Sequence, residues 1–378
     1  MAGIYIHIPF CKKACHYCDF HFSTNWKYKQ EMINALMKEI SLQKDYLSGE
    51  TIETIYFGGG TPSVFSGDEI NKILHTIEQT QTVASNAEIT LEANPDDLNA
   101  EKIKQLRQTA INRFSIGIQS FFEEDLLWMN RAHNAKEAKV SIQRVQDAGF
   151  ENITCDLIYG YPLLSDKKWV SNIQTLVDFG VPHISSYSMT VEPSTALASF
   201  ISKGKQIPMN EDQSAGQFEL LIDKLSENDF IHYEISNFAK EGWISKHNSN
   251  YWKGKKYLGI GPSAHSFNGN NRQWNIANNN MYLDAIARQI IPAEVEELTF
   301  TQRLNEYTMT SLRTIWGLDL VKVSTDFGRE YADSLLVSSQ PFIEREWIKS
   351  NGNILTLTQN GKLYADHIAA QLFAEELH

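Results

Sequence analysis

Cysteine is scarce in this chain, with four among 378 residues, and three of them sit together at Cys11, Cys15 and Cys18. A disulfide framework is excluded on number and place, since three clustered thiols leave one over and no signal peptide precedes them. Long apolar runs are also missing, and none approaches the ~18 residues that span a bilayer. Positive charge is not in excess: 34 Lys and Arg stand against 46 Asp and Glu, a net charge of −12. That balance argues against nucleic acid or an anionic membrane as a general partner. Repeats and low-complexity linkers are not seen, and no targeting segment is expected, since a strand is predicted almost at once after Met1. Few cysteines, clustered as metal ligands, suit a reducing cytoplasm. What remains is an ordinary globular composition, 42% hydrophobic and 21% charged, long enough for a large core.

Short β-branched runs alternate with amphipathic stretches through the first half. The pattern predicts strands at Ile4–Ile8, Thr54–Phe57, Glu88–Glu92, Arg113–Ile118, Asn152–Ile158 and His183–Ser188. Helices are predicted near Lys27–Gln43, Gly67–Gln79, Ala100–Thr109, Ala135–Ala148 and Lys167–Phe179. Such alternation means βαβ units and a parallel sheet. Six units are too few for a full eight-stranded barrel. An open partial barrel or a doubly wound sheet fits, and either puts ligands at the carboxyl ends of the strands. Beyond Glu192 a helix is expected at Glu211–Asn228 and a short strand at Phe230–Ile235. Residues 240–280, dense in His, Asn, Trp, Tyr and Gly, read as ordered loop. A helix at Thr301–Thr314, a strand at Asn353–Leu357, a turn at 358–361 and a last helix at Lys362–Phe373 suggest a small winged-helix-like packing module.

The three cysteines form a C-x3-C-x2-C run at the end of the first strand. Its thiolates converge on one small volume without an obvious fourth ligand. An iron–sulfur cluster held this way keeps one iron open for a small molecule. The alternative is a structural zinc site, for which His7, His16 or His21 could supply the fourth ligand, although zinc usually takes two separated Cys/His pairs. A ferredoxin run needs a fourth cysteine. Cys155 lies in an apolar run and reads as a small core residue.

Gly58-Gly59-Gly60-Thr61-Pro62 follows the second strand directly. Three glycines let backbone approach a ligand closely, and Thr-Pro is wrong for a phosphate loop, which carries Lys after its glycines. The exposed amides and carbonyls there can bond an amino acid's ammonium and carboxylate. Glu92, Gln119 and Asp156 recur at or in successive strands, and Arg131 lies after the next helix. Each has a plain alternative as a cap, a satisfied core group or a surface charge. Together they supply carboxylates and an amide for sugar hydroxyls and a guanidinium for a carboxylate. That inventory suits a nucleoside carrying an amino-acid group.

These residues resemble the radical S-adenosylmethionine superfamily, and within it the branch that holds oxygen-independent coproporphyrinogen III dehydrogenase and a heme chaperone. The resemblance covers nearly the whole chain. It implies a partial (β/α)6 barrel over residues 1–200, an extension over 201–290 and the C-terminal, mainly helical module over 291–378. It also implies that Cys11, Cys15 and Cys18 hold a 4Fe–4S cluster whose open iron is chelated by S-adenosylmethionine. Reductive cleavage would then give methionine and a 5′-deoxyadenosyl radical. Carried over by residue, Tyr5 and Tyr17 flank that cofactor. Gly59, Gly60, Thr61 and Glu92 address its methionyl end, Arg131 pairs with its carboxylate, and Gln119 and Asp156 bond the ribose.

Three features separate the two members of the branch. The dehydrogenase pattern has a further Cys two residues beyond the last ligand, where this chain has Phe20. The dehydrogenase also carries a long N-terminal extension, whereas ten residues precede Cys11 here. Third, His247-Asn248-Ser249-Asn250-Tyr251-Trp252 resembles the chaperone's heme-binding signature. Histidine is a standard axial ligand of heme iron, and Tyr and Trp offer flat apolar surface to a porphyrin. On residues alone, His247 reads rather as a hydrogen-bonded loop histidine beside core aromatics, and it is the resemblance that favours a heme ligand. His265 is a second candidate, in a segment that resembles the part approaching the adenosine. The expectation is a cytoplasmic heme chaperone that delivers heme to an apoprotein, in this reading a respiratory-chain hemoprotein, with a homodimer as one candidate for its oligomeric state. Dehydrogenase activity is not expected. The rival readings are that enzyme and a zinc-stabilised binding protein.

Overall fold

The computed structural model of the chain describes residues 1–375. Six parallel strands run side by side in sequence order: β1 (Ala2–Ile8), β2 (Ile52–Gly59), β3 (Val83–Ala93), β4 (Arg113–Gln119), β5 (Ile153–Tyr159) and β6 (His183–Ser188). Side chains alternate across a strand, and the alternation is chemically strict here. Ile4, Ile6, Ile8, Ile55, Phe57, Leu91, Phe114, Ile116 and Leu157 point to the covering helices and are buried. Cys155 joins them in the core. The intervening positions, among them Tyr5, Tyr56, Glu92, Ser115 and Asp156, line the concave side.

The covering helices include Lys29–Leu42, Gly67–Thr80, Ala100–Leu106, Ala135–Asp147 and Asp166–Asp178. Their starts are chemically marked. Ser66 with Glu69, and Asn134 with Glu137, form capping boxes, each cap being worth about 1 kcal/mol.

The sheet continues past both ends of this six-stranded core. Beyond β6 lie β7 (Ile231–Glu234) and β8 (Asn237–Ala239), with β8 antiparallel to β6. On the other side β1 pairs in parallel with β9 (Lys256–Ile260). Antiparallel strands β10 (His265–Phe267), β11 (Asn271–Asn275) and β12 (Ala293–Glu297) follow. The order is β12-β11-β10-β9-β1-β2-β3-β4-β5-β6-β8-β7, an open partial barrel. Residues 240–280 are therefore not loop, as their composition suggested. They carry the helix Lys246–Trp252 and three strands that extend the sheet from β1.

A buried carboxylate fastens this extension. Glu39, on the helix that follows the cysteine segment, is fully buried. It accepts hydrogen bonds from Gly261 N (2.7 Å), Asn275 Nδ2 (2.6 Å), Tyr282 OH (2.5 Å) and Gln43 Nε2 (2.9 Å). Burial pushes its carboxyl up to about 7, and the four donors offset the cost of enclosing it.

The C-terminal region is mainly helical, with helices Phe300–Leu312, Leu320–Asp326 and Arg329–Glu344. A small antiparallel sheet joins them, β13 (Leu318–Asp319), β14 (Ile348–Asn351) and β15 (Ile354–Leu357), in the order β13-β15-β14. Leu304, Leu312, Val323, Leu335, Phe342 and Ile368 form a hydrophobic cluster separate from the barrel core. The expected turn at 358–361 is a short helix, Gln359–Lys362, capped by Thr358. The last helix spans Ala365–Gln371, and residues 376–378 of the expected third segment lie outside the described residues. Among the described residues no helix is long and apolar enough to cross a membrane.

Candidate functional site

The cysteines sit on the long connection between β1 and the helix Lys29–Leu42, over the carboxyl ends of the parallel strands. Backbone hydrogen bonds fix this connection at several points. Cys11 N donates to Ser23 O (3.1 Å) and Ser23 N to Pro9 O (2.9 Å), which closes the segment into a loop. His16 N donates to Met129 O (3.0 Å), and His16 O accepts from Leu197 N (2.8 Å). Trp26 Nε1 donates to Cys11 O (3.0 Å). The loop is thus tied to segments following β4 and β6 as well as to itself.

Each of two thiols meets a side chain from elsewhere. Thr61 Oγ1 lies 3.3 Å from Cys11 Sγ, and Arg131 Nη1 lies 3.4 Å from Cys15 Sγ. Burial raises the Cys11 thiol to about 11 and that of Cys18 to about 12. The three cysteines are half-buried and unpaired by disulfides. The histidines that could complete a zinc site are engaged otherwise. His7 Nε2 bonds His21 O (2.8 Å), His16 Nδ1 bonds Trp128 O (2.8 Å) and His21 Nε2 bonds Asn279 Oδ1 (2.7 Å). Among the described residues no three Cys, His, Asp or Glu side chains are arranged to hold a single metal ion.

The glycine turn lies beside the loop. Gly60 N donates to Ile8 O (2.9 Å) and Thr61 N to Phe10 O (2.8 Å), so the turn continues the β1–β2 ladder toward the cysteines. Gly59 has φ of +106°, and a Cβ there would lie 2.6 Å from the His7 ring. Only glycine meets both demands. Gly59 N donates to Glu92 Oε2 (3.2 Å) and Tyr56 OH to Glu92 Oε1 (2.8 Å).

Glu92 is enclosed, and burial first, then the nearby Asp156 charge, pushes its carboxyl up to about 8. Asp156, inward on β5, is raised to about 6 by burial. Ser115 Oγ stands 3.4 Å from both of its carboxylate oxygens. Gln119 ends β4 with φ of +65°, an uncommon value for a residue with a Cβ. Tyr5 stacks on Tyr56, ring centroids 6.1 Å apart, and its hydroxyl is 3.3 Å from His7 Nδ1.

Arg131 ties the site together. Nη2 donates to Asn94 Oδ1 (2.7 Å) and Gly117 O (2.8 Å), and Nη1 lies 3.4 Å from Tyr17 OH. Asn94 Nδ2 in turn reaches Thr61 Oγ1 (3.3 Å). The concave side therefore brings Cys11, Cys15, a glycine turn, two protonatable carboxyls and a guanidinium to one mouth, with Cys18 on the same loop.

His247 lies elsewhere. It is 2% exposed and packs at the opposite end of the strands, where Thr54 and Glu88 face each other across β2 and β3. Its Nδ1 is 2.8 Å from Thr54 Oγ1 and its Nε2 2.9 Å from Tyr251 OH. Tyr56 stacks on the ring at 4.9 Å. Burial lowers the imidazole to about 3, so it is neutral. His265 is on β10, exposed and stacked on Trp274.

The Radical SAM superfamily model matches residues 5–179. Over 379 residues the chain is 34% identical to the heme chaperone HemW of Bacillus subtilis, covering 99% of this chain and 100% of that one. The chain belongs to the radical SAM superfamily, as a HemW homologue. The heme chaperone HemW of Mycobacterium tuberculosis is 32% identical over 375 residues, 98% of this chain and 94% of that one. The structure of the radical SAM enzyme coproporphyrinogen III oxidase (HemN) from Escherichia coli superposes with a TM-score of 0.84 at 20% identity, over 99% of this chain and 90% of that one. That likeness shows the fold, a partial barrel with a helical C-terminal region.

Asn94 and Tyr56 were missed by sequence reasoning, and His7 was weighed only as a zinc ligand. Tyr56 alternates with Thr54 and is separated from the glycines by a single residue, so period-two spacing points it inward. His7 alternates with Tyr5 by the same rule. Asn94 sits in the Glu92-Ala93-Asn94-Pro95 stretch already singled out for Glu92, and only its bond to Arg131 reveals its place.

Proposed function

We propose that this chain holds a 4Fe–4S cluster on Cys11, Cys15 and Cys18, binds S-adenosylmethionine beside it, and serves as a heme chaperone in the cytoplasm. The observation that carries the first part is the meeting of Cys11 with Thr61 of the glycine turn and of Cys15 with Arg131, on the loop that also holds Cys18. Three thiolates without a convergent fourth ligand suit a cluster with an open iron better than a closed zinc tetrahedron. When bound, cluster and S-adenosylmethionine supply reductive cleavage of a sulfonium C–S bond. The protein's own groups do the holding. Gly59 and Gly60 give the methionyl group close backbone, with Thr61 alongside. Glu92 takes its ammonium and Arg131 its carboxylate, a charge-assisted contact. Gln119 and Asp156 receive the ribose, and Tyr5 and Tyr17 wall the pocket.

The chaperone part rests on the names of the full-length relatives, on Phe20 where the dehydrogenase pattern has Cys, and on the His247–Trp252 motif. Heme is the cargo, His247 its ligand, and an apoprotein, in our reading a respiratory hemoprotein, its receiver. The test is an anaerobic heme titration of cluster-reconstituted protein followed by absorption. We expect a saturable Soret change near one heme per chain, lost in His247→Ala. Equal binding by the variant overturns the assignment of His247. Formation of protoporphyrinogen from coproporphyrinogen III, with S-adenosylmethionine and a reductant, would replace the chaperone by the enzyme.

A further inference from the structure

Resting on that reading, we propose that the protein keeps its heme ligand latched shut, and that the helix Lys246–Trp252 must leave the barrel floor before His247 can reach iron. An imidazole ligates iron through a ring nitrogen lone pair. In a neutral ring one nitrogen carries a proton and the other the lone pair. Here the two nitrogens face Thr54 Oγ1 and Tyr251 OH at hydrogen-bond distance. Whichever tautomer is present, its lone pair is taken by a hydroxyl. The ring's face is covered by Tyr56, and Gly3 approaches so closely that a Cβ there would lie 3.5 Å from the imidazole. Iron bonds an imidazole along a lone pair in the ring plane, so in the docked position it would have to displace the Thr54 or the Tyr251 hydroxyl.

The clasp is a single carboxylate. Glu88, buried on β3, accepts from Lys246 N (3.0 Å) and from His247 N (2.9 Å), with Ser245 Oγ at 3.4 Å. These are charge-assisted bonds to amides that the start of a helix leaves without partners. The clasp is specific to the docked position, because Glu88 belongs to the barrel wall and not to the helix. The segment also carries hinges. Gly242 and Gly254 flank it at φ of +84° and +61°, and both sit in open space. Glycines bracketing a seven-residue helix on its two sides allow it to swing as a unit.

A latch of this kind makes the binding-competent state a minor one and weakens apparent affinity by its population. Loosening the clasp then raises both rate and affinity without touching the ligand. Glu88→Gln and Thr54→Val are the two variants, the second removing only a hydroxyl. The measurement is stopped-flow absorption of heme binding over a range of heme concentrations, with hydrogen exchange of residues 245–252 in the same proteins. In the parent we expect a rate that saturates with heme, limited by undocking. In the variants we expect that ceiling to rise by about tenfold. The amides of 245–252 should lose protection when heme is added. Parent-like rates in both variants, with 245–252 still protected in the heme complex, overturn the latch. Heme binding by His247→Ala at the parent's affinity instead overturns the ligand assignment itself, so the two failures are distinguishable. Should Glu88→Gln fail to fold, Thr54→Val decides alone.

Discussion

Arg131 Nη1 lies 3.4 Å from Cys15 Sγ, while Nη2 of the same guanidinium donates to Asn94 Oδ1 and Gly117 O. One side chain from the segment after β4 thereby fixes the cysteine loop against β3 and β4. Arg131→Met leaves Asn94 Oδ1 and Gly117 O, and the weaker contacts to Cys15 Sγ and Tyr17 OH, without their donor, and we expect a loss of about 2 kcal/mol of stability. A lower urea midpoint at unchanged slope checks this. In the reconstituted protein S-adenosylmethionine affinity should fall too, read by calorimetry, and Arg131→Lys should recover part of it.

Gly59→Ala is expected to be severe. Its φ of +106° and the His7 ring 2.6 Å from the new Cβ act together. The ring cannot swing aside freely, because Nε2 holds His21 O. Backbone strain alone costs about 1–3 kcal/mol, and the contact adds to it. Thermal unfolding beside Gly149→Ala, a positive-φ glycine in open space, separates the clash from the strain.

Glu92 should contribute a fall in the stability of the cofactor-free protein as pH rises, opposed at the acid end by buried neutral histidines such as His133 and His247. Glu92, ordinarily at 4.5, is raised to about 8, chiefly by burial. Between those values the folded state keeps a proton that the unfolded state has released. Stability changes with pH as the protons bound unfolded minus those bound folded, so the slope is negative. The contribution is complete below about 4.5 and is lost as pH passes 8. Glu92→Gln should flatten the decline in urea midpoints measured from pH 5 to 8.5, and an unchanged slope would assign it to other groups.

Thr61→Val removes the hydroxyl 3.3 Å from Cys11 Sγ. Hydrogen bonds to ligand sulfurs tune iron–sulfur potentials. With a donor lost, the reduced and more negative cluster is less stabilised. We expect a lower midpoint potential with iron content retained, measured by redox titration of the reconstituted protein. A parent-like potential would mean that the hydroxyl does not serve the bound cluster.

The six core strands were legible because each carries an apolar face of β-branched or aromatic residues toward the helices. The cysteine loop and the glycine turn were legible as motifs. The extension was not. β9, β10 and β11 are three to five residues long, and apart from the buried Leu258 and Ile260 of β9 their sequences, such as Asn271-Arg272-Gln273-Trp274-Asn275, show no apolar alternation. They are strands because the free edge of β1 offers a ladder to β9, on which β10 and β11 build, a relation between residues 254 positions apart that no local pattern carries. Composition marked His247 as ordered, yet nothing in H-N-x-x-Y-W says that its partners would be Thr54 and Glu88.

The pairing of β1 with β9 has a consequence for biosynthesis. The cysteine loop leaves the ribosome early, but the neighbour of β1 on its outer side starts at Lys256, and three of the four groups that hold Glu39 lie at Gly261, Asn275 and Tyr282. For most of translation the strand that roots the cysteines is an exposed edge, and the helix after them lacks its anchor. The cysteine segment is thus locked in place by the last part of the barrel to be made. That leaves an interval during synthesis when the three thiols lie on a pliant loop whose base is not yet covered.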